Sequence, residues 1–201
     1  HRHRSRPHIA AIGRSNGYGK APKYSQYCRP QRMSGSIIYI SGGARSGKSS
    51  FAQKLAEQLS PHPIYLATAQ AYDAEMSDRI RRHQSDRDAR WRAHEEPIDL
   101  CQALSGYSSG DVIVIDCLTL WLSNILLAEK NVETETDKLV THLKSQQATL
   151  ILVSNEVGMG IVPDNALARS FRDVAGRLNQ AVAAVSDEAF VLISGLPLRL
   201  K

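Results

Sequence analysis

The eight residues at positions 42–49 have the types and spacing of a loop that binds phosphate groups. They fit the pattern Gly-x-x-x-x-Gly-Lys-Ser between an apolar run at residues 37–40 and an amphipathic segment at residues 51–59, which is the strand–loop–helix context that this pattern requires. Glycines allow successive backbone N–H groups to face phosphate oxygens beside the positive end of a helix. The segment consists of Gly42, Gly43, Ala44, Arg45, Ser46, Gly47, Lys48 and Ser49.

We call residues 42–49 the phosphate loop. Two of its side chains could act on a bound nucleotide. Lys48 would reach the β- and γ-phosphates, and the hydroxyl of Ser49 would bind Mg²⁺. The alternative is a glycine-rich turn with an incidental lysine, which the flanking elements disfavour. The sequence therefore predicts a protein that binds a nucleoside triphosphate with Mg²⁺.

Asp116 ends a run of four apolar residues at 112–115. A carboxylate at the carboxyl end of a parallel strand can reach Mg²⁺ or its water shell. Alternatively, Asp116 would cap the helix predicted over residues 118–128. Because a phosphate loop is present, we favour the metal role, with Ser49 and Asp116 as the metal-binding pair.

His83 has four arginines close to it in sequence: Arg79, Arg81, Arg82 and Arg87. Such a cluster is typical of an anion site, and it favours the neutral imidazole. A neutral imidazole can attack phosphorus and hold a nucleotidyl group covalently. An ordinary surface histidine is the alternative that residue type alone would favour.

A polar segment with two glycines follows the buried strand predicted over residues 148–153. It contains Asn155, Glu156, Gly158 and Gly160. Ligands of parallel sheets bind beyond the carboxyl ends of the strands, so this segment is a candidate for binding the acceptor of a transferred group. The alternative is a flexible connection that ends in a helix cap.

Apolar runs alternate with amphipathic segments, which predicts an α/β fold with a mostly parallel sheet and helices on both faces. Strands are predicted at residues 37–40, 63–68, 111–116, 148–153 and 189–194, with a short edge at 198–200. Helices are predicted at residues 51–59, 73–83 and 118–128. Three more are predicted with one bound open: one starts at residues 95–97, one follows a polar connection at 131–137 and ends near 144, and one starts at a cap at Asp164. The last helix carries an apolar stripe made of Leu167, Phe171, Val174, Leu178, Ala181 and Val185.

The charge distribution divides the chain into an N-terminal extension and one domain. Residues 1–32 hold eight Lys/Arg and no acidic residue, which favours a disordered or adventitious extension; a basic nucleic-acid arm or a targeting segment is the alternative. Residues 33–201 then hold 17 basic and 20 acidic residues, so this single predicted domain gives no electrostatic case for nucleic-acid binding.

The cysteines and the apolar runs favour a cytoplasmic protein without a membrane partner. The three cysteines match neither a metal site nor a disulfide framework. No apolar run approaches the roughly 20 residues of a membrane span. The cysteines are Cys28, Cys101 and Cys117.

Five segments resemble motifs of the bifunctional adenosylcobinamide kinase/adenosylcobinamide-phosphate guanylyltransferases. They occur in that family's order through nearly all of residues 36–201. The block at 154–163, Ser-Asn-Glu-Val-Gly-Met-Gly-Ile-Val-Pro, is far more specific than a phosphate loop. The other segments are the phosphate loop, Arg79-Ile80-x-x-His83, Trp91-Arg92-x-x-Glu95 and residues 171–180.

The resemblance implies two reactions of cobalamin assembly. ATP or GTP would phosphorylate the aminopropanol hydroxyl of adenosylcobinamide, and GMP from GTP would then pass to that phosphate through a guanylylated histidine at the position of His83. The resemblance also implies a recombinase-type (RecA-like) phosphate-loop NTPase fold and a trimer. Lys48 and His83 would be catalytic, and the phosphate loop would be joined in the nucleotide site by Thr68, Ala69, Gln70, Ser85, Asp86, Arg87, Asp88, Glu95 and Asp116.

Several points stay open in the sequence. Arg87-Asp88 stands where the family commonly has Arg-Pro, so the contacts of Asp88 are in question, and Glu156 is only a candidate base for the cobinamide hydroxyl. One rival function is a small-molecule kinase without a covalent step or with one activity alone. Another is a nucleotide-dependent regulatory protein that uses residues 1–32.

Overall fold

A seven-stranded sheet is the frame of the described chain, which comprises residues 35–70 and 88–201 of the computed structural model. Its strand order is β3-β2-β4-β5-β1-β6-β7, with β1 (Ile37–Gly42), β2 (Ile64–Ala67), β3 (Arg92–Glu95), β4 (Val112–Asp116), β5 (Thr149–Val153), β6 (Glu188–Ile193) and β7 (Leu196–Arg199). All neighbouring strands are parallel except β6 and β7. The predicted mostly parallel sheet is confirmed.

Helices cover both faces of this sheet, as predicted. They are α1 (Lys48–Leu59), α2 (Leu100–Ser105), α3 (Leu118–Leu127), α4 (Val132–Ser145) and α5 (Ala166–Val185). Side chains alternate between the faces along β1: Ile38 and Ile40 pack with α1, whereas Ile37 and Tyr39 pack with the four other helices. Among the described residues, none of these helices is both long and apolar enough to cross a bilayer.

Residues 92–95 form β3, although the sequence predicted no strand there and a helix beginning at 95–97. All four side chains of β3 are exposed, so Arg-Ala-His-Glu has no apolar alternation that would reveal a strand. Strand β3 is defined by its parallel pairing with β2 through the backbone, and not by the pattern of its side chains. The next helix, α2, begins only at Leu100, where the side chain of Asp99 accepts a hydrogen bond from the N–H of Gln102, 3.0 Å away.

Helix α4 begins earlier than predicted, because residues 132–137 are helical rather than a connection. The side chain of Asn131 caps the helix by accepting a hydrogen bond from the N–H of Thr134 at 2.9 Å. Glu133 and Glu135 lie in the first turn, where the partial positive charge of the helix stabilises them. Polar residues here start the helix.

The start of α5 also corrects the sequence prediction. Asn165, rather than Asp164, is the cap, since its Oδ1 accepts hydrogen bonds from the N–H groups of Leu167 and Ala168. Leu167 is 77% exposed, so the predicted apolar stripe is wrong at its first member. The buried side chains of α5 are Ala175, Leu178, Asn179 and Val182. The helix predicted at residues 73–83 lies outside the described residues.

Candidate active site

The carboxyl ends of parallel strands bring several predicted site residues to one edge of the sheet. Gly42 ends β1, Asp116 ends β4, and Thr68 directly follows β2. The segment after β5 reaches the same edge, where the N–H of Glu156 donates to the carbonyl of Gly42 at 2.9 Å. This edge is where ligands of parallel α/β sheets bind.

The phosphate loop turns sharply between β1 and α1. Gly42 has a φ of 149° and Gly47, the N-cap of α1, a φ of 94°. A Cβ at Gly42 would lie 2.6 Å from the carbonyl oxygen of Leu192, so a larger residue does not fit there. The start of α1 therefore has a glycine cap with no side chain that would compete with an anion for its N–H groups.

The ammonium group of Lys48 lies against the phosphate loop. Its Nζ donates to the carbonyl of Gly43 at 2.6 Å and lies 3.5 Å from Oγ of Ser46, and the residue is 6% exposed. Burial lowers the pKa of Lys48, and the negative charge of Asp116 opposes this effect. Lys48 and Asp116 belong to the same edge of the sheet, since the phosphate loop follows β1 and Asp116 ends β4.

The carboxylate of Asp116 is held by a residue that the sequence analysis missed. Its Oδ2 accepts a hydrogen bond from the hydroxyl of Tyr65 at 2.9 Å. The N-cap of α3 is Cys117, and this helix has no side-chain cap, so the alternative in which Asp116 caps α3 is wrong. No local pattern could have identified Tyr65, because its contact with Asp116 depends on the pairing of β2 with β4.

The donors near the phosphate loop fit a magnesium ion. Mg²⁺ prefers oxygen ligands, and proteins usually hold it through one or two side chains together with phosphates and waters. The hydroxyl of Ser49, in the first turn of α1, and the carboxylate of Asp116 supply such oxygens. Across residues 35–70 and 88–201, no group of three or more His, Cys, Asp or Glu side chains could bind a metal.

Predicted nucleotide-site residues also lie at the ends of β2 and β3. Thr68 is buried, donates from Oγ1 to the carbonyl of Cys117 at 2.7 Å and accepts from its N–H at 2.8 Å. Glu95 is exposed and pairs with the last residue of β2. The edge thus brings together Glu95, Asp116, the phosphate loop and the residues that continue β2, namely Thr68, Ala69 and Gln70.

Asp88 lies at the opposite, amino-terminal edge of the sheet. The nearby N–H of Arg92, where β3 begins, donates to the carbonyl of Pro63, just before β2. Arg90 binds the Asp88 carboxylate at 2.7 Å and approaches Glu57 in the last turn of α1 at 3.8 Å. This placement does not support a nucleotide contact for Asp88. The other predicted residues of that region, His83, Ser85, Asp86 and Arg87, lie outside the described residues.

A buried polar network anchors the segment that follows β5. Oγ of Ser154 donates to Oδ1 of Asn179 at 2.6 Å, and Nδ2 of Asn179 donates to the carbonyl of Asn155 at 3.1 Å. Oγ1 of Thr119 accepts from the N–H of Asn155 at 2.7 Å. Because Asn179 is on α5 and Thr119 on α3, two helices fix the start of the 155–163 loop. No sequence pattern pointed to a role for Thr119.

The 155–163 loop carries one carboxylate near its start and exposed apolar side chains further on. Oε1 of Glu156 accepts from the N–H of Gly158 at 2.7 Å, and a Cβ at Gly158 would lie 2.9 Å from that oxygen. Further on, Met159 is 87% and Ile161 96% exposed. The loop is therefore anchored at its start and apolar at its tip.

The parallel sheet with a phosphate loop after β1 defines a P-loop NTPase. The structure of a prototypical ATPase from the type III secretion system of pathogenic bacteria resembles it with a TM-score of 0.55 and 12% sequence identity, covering 83% of this chain and 57% of that chain. A structure from Pyrococcus horikoshii OT3, Project ID PH0250, resembles it with a TM-score of 0.50 and 11% identity, covering 85% and 88%. These similarities concern the fold alone.

Sequence comparison identifies the family. The profile of the CobU family, described as cobinamide kinase / cobinamide phosphate guanyltransferase, matches residues 38–200. The bifunctional adenosylcobalamin biosynthesis protein CobP of Pseudomonas aeruginosa PAO1 is 44% identical over 81% of this chain and 95% of its own length. The corresponding protein CobU of Salmonella typhimurium LT2 is 38% identical over 82% and 99%. The chain belongs to the cobinamide kinase / cobinamide phosphate guanyltransferase family.

Proposed function

We propose that this chain phosphorylates adenosylcobinamide with ATP or GTP and then transfers GMP from GTP to the product, giving adenosylcobinamide-GDP. The observation that carries the proposal is the glycine-capped phosphate loop, with the buried Lys48 bound to the carbonyl of Gly43 and with Asp116 at the same edge of the sheet, in a chain that belongs to this family. A buried ammonium group and a carboxylate at one edge of the sheet suit the binding of a triphosphate with its divalent cation.

In the first reaction, the phosphate loop holds the nucleotide so that its γ-phosphate faces the cobinamide hydroxyl. The hydroxyl oxygen forms a bond to the γ-phosphorus, the bond to the bridging oxygen breaks, and ADP or GDP leaves. Lys48 would exchange its hydrogen bond to Gly43, 2.6 Å long, for phosphate oxygens and stabilise the charge that develops on them.

We assign the hydroxyl proton of this first reaction to the carboxylate of Glu156. The backbone of Glu156 is joined to Gly42, the first residue of the phosphate loop, by a 2.9 Å hydrogen bond. A carboxylate next to the transferred phosphate can accept the proton as the hydroxyl attacks. Glu156 would therefore act in the kinase reaction and have no proton to accept in the transfer of GMP.

In the second reaction, a neutral His83 attacks the α-phosphorus of GTP. A P–N bond forms, the bond to the bridging oxygen breaks, and pyrophosphate leaves. A phosphate oxygen of adenosylcobinamide phosphate then attacks the same phosphorus, and the P–N bond breaks to regenerate the imidazole. Four arginines within four residues of His83 in the sequence support this assignment, because they would stabilise the developing charge.

Ser49 and Asp116 are the residues that would hold the Mg²⁺ of the nucleotide. The ion supplies charge neutralisation on the phosphate oxygens. The 155–163 loop would bind adenosylcobinamide and its phosphate, since the exposed Met159 and Ile161 offer apolar contacts to a corrin ring beside the carboxylate of Glu156.

A homotrimer in the cytoplasm is the assembly and location that we propose. Exposed apolar side chains on β7, Leu196 and Leu198, support association with further copies. In the described chain, Cys101 and Cys117 are both free, which suits a reducing compartment.

Product analysis tests the proposed function. The purified chain is incubated with adenosylcobinamide, ATP and Mg²⁺, then with GTP, and the corrinoids are separated by liquid chromatography and mass spectrometry. We expect adenosylcobinamide phosphate first, and adenosylcobinamide-GDP with pyrophosphate after GTP is added. Formation of adenosylcobinamide phosphate alone would instead indicate a single-activity kinase. The absence of both products would contradict the proposal.

A further inference from the structure

The hydrogen bond from Tyr65 to Asp116 links two neighbouring strands on one face of the sheet. Tyr65 on β2 stands opposite Val114 on β4, and Asp116 follows two residues later, so the side chains of Tyr65 and Asp116 share a face. The phenol hydroxyl donates to Oδ2 of Asp116 at 2.9 Å. The α1 helix, which begins in the phosphate loop, covers this same face.

The Tyr65 ring is itself held in place by packing. It is 4% exposed, and its ring meets that of Trp91 edge to face, with centroids 6.2 Å apart and planes at 75°. Nε1 of Trp91 donates to Glu57 on α1 at 3.1 Å. The hydroxyl of Tyr65 is therefore a donor at a fixed position.

A fixed donor at one carboxylate oxygen limits the rotation of the Asp116 side chain. Ligating carboxylates bind their metals best when a second residue orients them. The other oxygen of Asp116 then has a defined direction at the edge of the sheet where β1 and β4 end and the phosphate loop begins.

We propose that Tyr65 is a positioning residue, which orients the carboxylate of Asp116 for the Mg²⁺ that accompanies the nucleotide. This inference rests on the proposed metal role of Asp116. Tyr65 acts through Asp116 and contacts neither the nucleotide nor the acceptor. Removing its hydroxyl should therefore raise the Mg²⁺ concentration needed to tighten nucleotide binding and leave the affinity for the nucleotide without metal unchanged.

The test is a double-mutant cycle read by nucleotide binding. Wild type, Tyr65→Phe, Asp116→Asn and the double variant are titrated with fluorescent N-methylanthraniloyl-GTP, first in EDTA and then over a series of Mg²⁺ concentrations. We expect Tyr65→Phe to raise the Mg²⁺ concentration for half-maximal tightening about tenfold and to leave the affinity in EDTA unchanged. In the Asp116→Asn background, the same change should have no further effect.

Tyr107→Phe is the matched control, because it removes a phenol that contacts Nδ1 of His94 at 3.3 Å, away from the phosphate loop. It should leave the Mg²⁺ dependence unchanged. The inference is overturned if Tyr65→Phe resembles this control while Asp116→Asn loses Mg²⁺ dependence, or if Tyr65→Phe has its full effect without Asp116. If Asp116→Asn itself leaves the Mg²⁺ dependence unchanged, the metal role of Asp116 fails and the role of Tyr65 fails with it.

Discussion

Lys48 must carry a positive charge for nucleotide binding and yet lie in a buried position. A triphosphate needs a positive charge inside the loop, yet placing an ammonium group where it is 6% exposed costs hydration free energy. The hydrogen bond to Gly43 and the charge of Asp116 offset part of that cost. The nucleotide-free protein therefore retains a binding group at some expense of stability.

The pH dependence of stability should reveal the burial of Lys48. Its pKa is lowered from 10.5 by burial, so between the lowered pKa and 10.5 the unfolded chain binds more protons and the free energy of unfolding rises with pH. Lys48→Met should be more stable than wild type near neutral pH, and this difference should shrink as the pH approaches 10.5. Guanidinium unfolding without nucleotide measures it, with the exposed Lys54→Met as control. A difference that grows with pH would contradict the account.

Glu156→Gln should separate the two reactions. Loss of the base should lower the rate of adenosylcobinamide phosphorylation at least about 100-fold, whereas GMP transfer to supplied adenosylcobinamide phosphate should continue. Steady-state assays of each half-reaction measure this, with Glu133→Gln, an exposed residue of α4, as control. An equal loss in both reactions would show that Glu156 has a general role in binding or folding.

At the scale of the elements, the start of α5 is fixed by the side chain of Asn165, although the neighbouring Asp164 is also a residue type that caps helices. Oδ1 of Asn165 accepts from Leu167 at 2.8 Å and from Ala168 at 3.2 Å. We expect Asn165→Ala to lower the free energy of unfolding by about 1 kcal/mol and Asp164→Ala to leave it unchanged. Denaturant unfolding at pH 7 compares them, and the reverse order would restore Asp164 as the cap.

The elements that sequence predicted correctly are those with an apolar pattern. β1, β4 and β5 are buried on both faces, so they appear as continuous apolar runs between turn signals. β3 is exposed and polar, and it is specified by pairing with β2, which periodicity cannot reveal. The early start of α4 was missed for a related reason, because its first turn is polar.

At the scale of the whole molecule, the candidate site was predicted where one continuous segment carries it. The phosphate loop is such a segment, and its glycines and Lys48 could be identified without a structure. Contacts between distant segments were missed, such as those of Tyr65 with Asp116, 51 positions apart, and of Thr119 with Asn155. These pairs depend on strand order and helix packing, which no local pattern encodes.

Asp88 is a predicted site residue that the structure places away from the phosphate loop. The family resemblance implied a nucleotide contact for Asp88, whereas the parallel pairing of β3 with β2 puts it at the edge away from the phosphate loop. The proposed nucleophile, His83, lies outside the described residues, so its assignment rests on chemistry rather than on geometry.

Labelling of His83 tests the central claim most directly. The full chain is incubated with Mg²⁺ and GTP radiolabelled at the α-phosphate, beside His83→Ala and, as a matched control, His94→Ala, which removes an exposed histidine from β3. The account predicts label on the denatured wild type and on His94→Ala, lost in mild acid and stable in alkali as a phosphoramidate is, and none on His83→Ala. Equal label on His83→Ala, or an unlabelled wild type that still transfers γ-phosphate, would contradict the covalent mechanism.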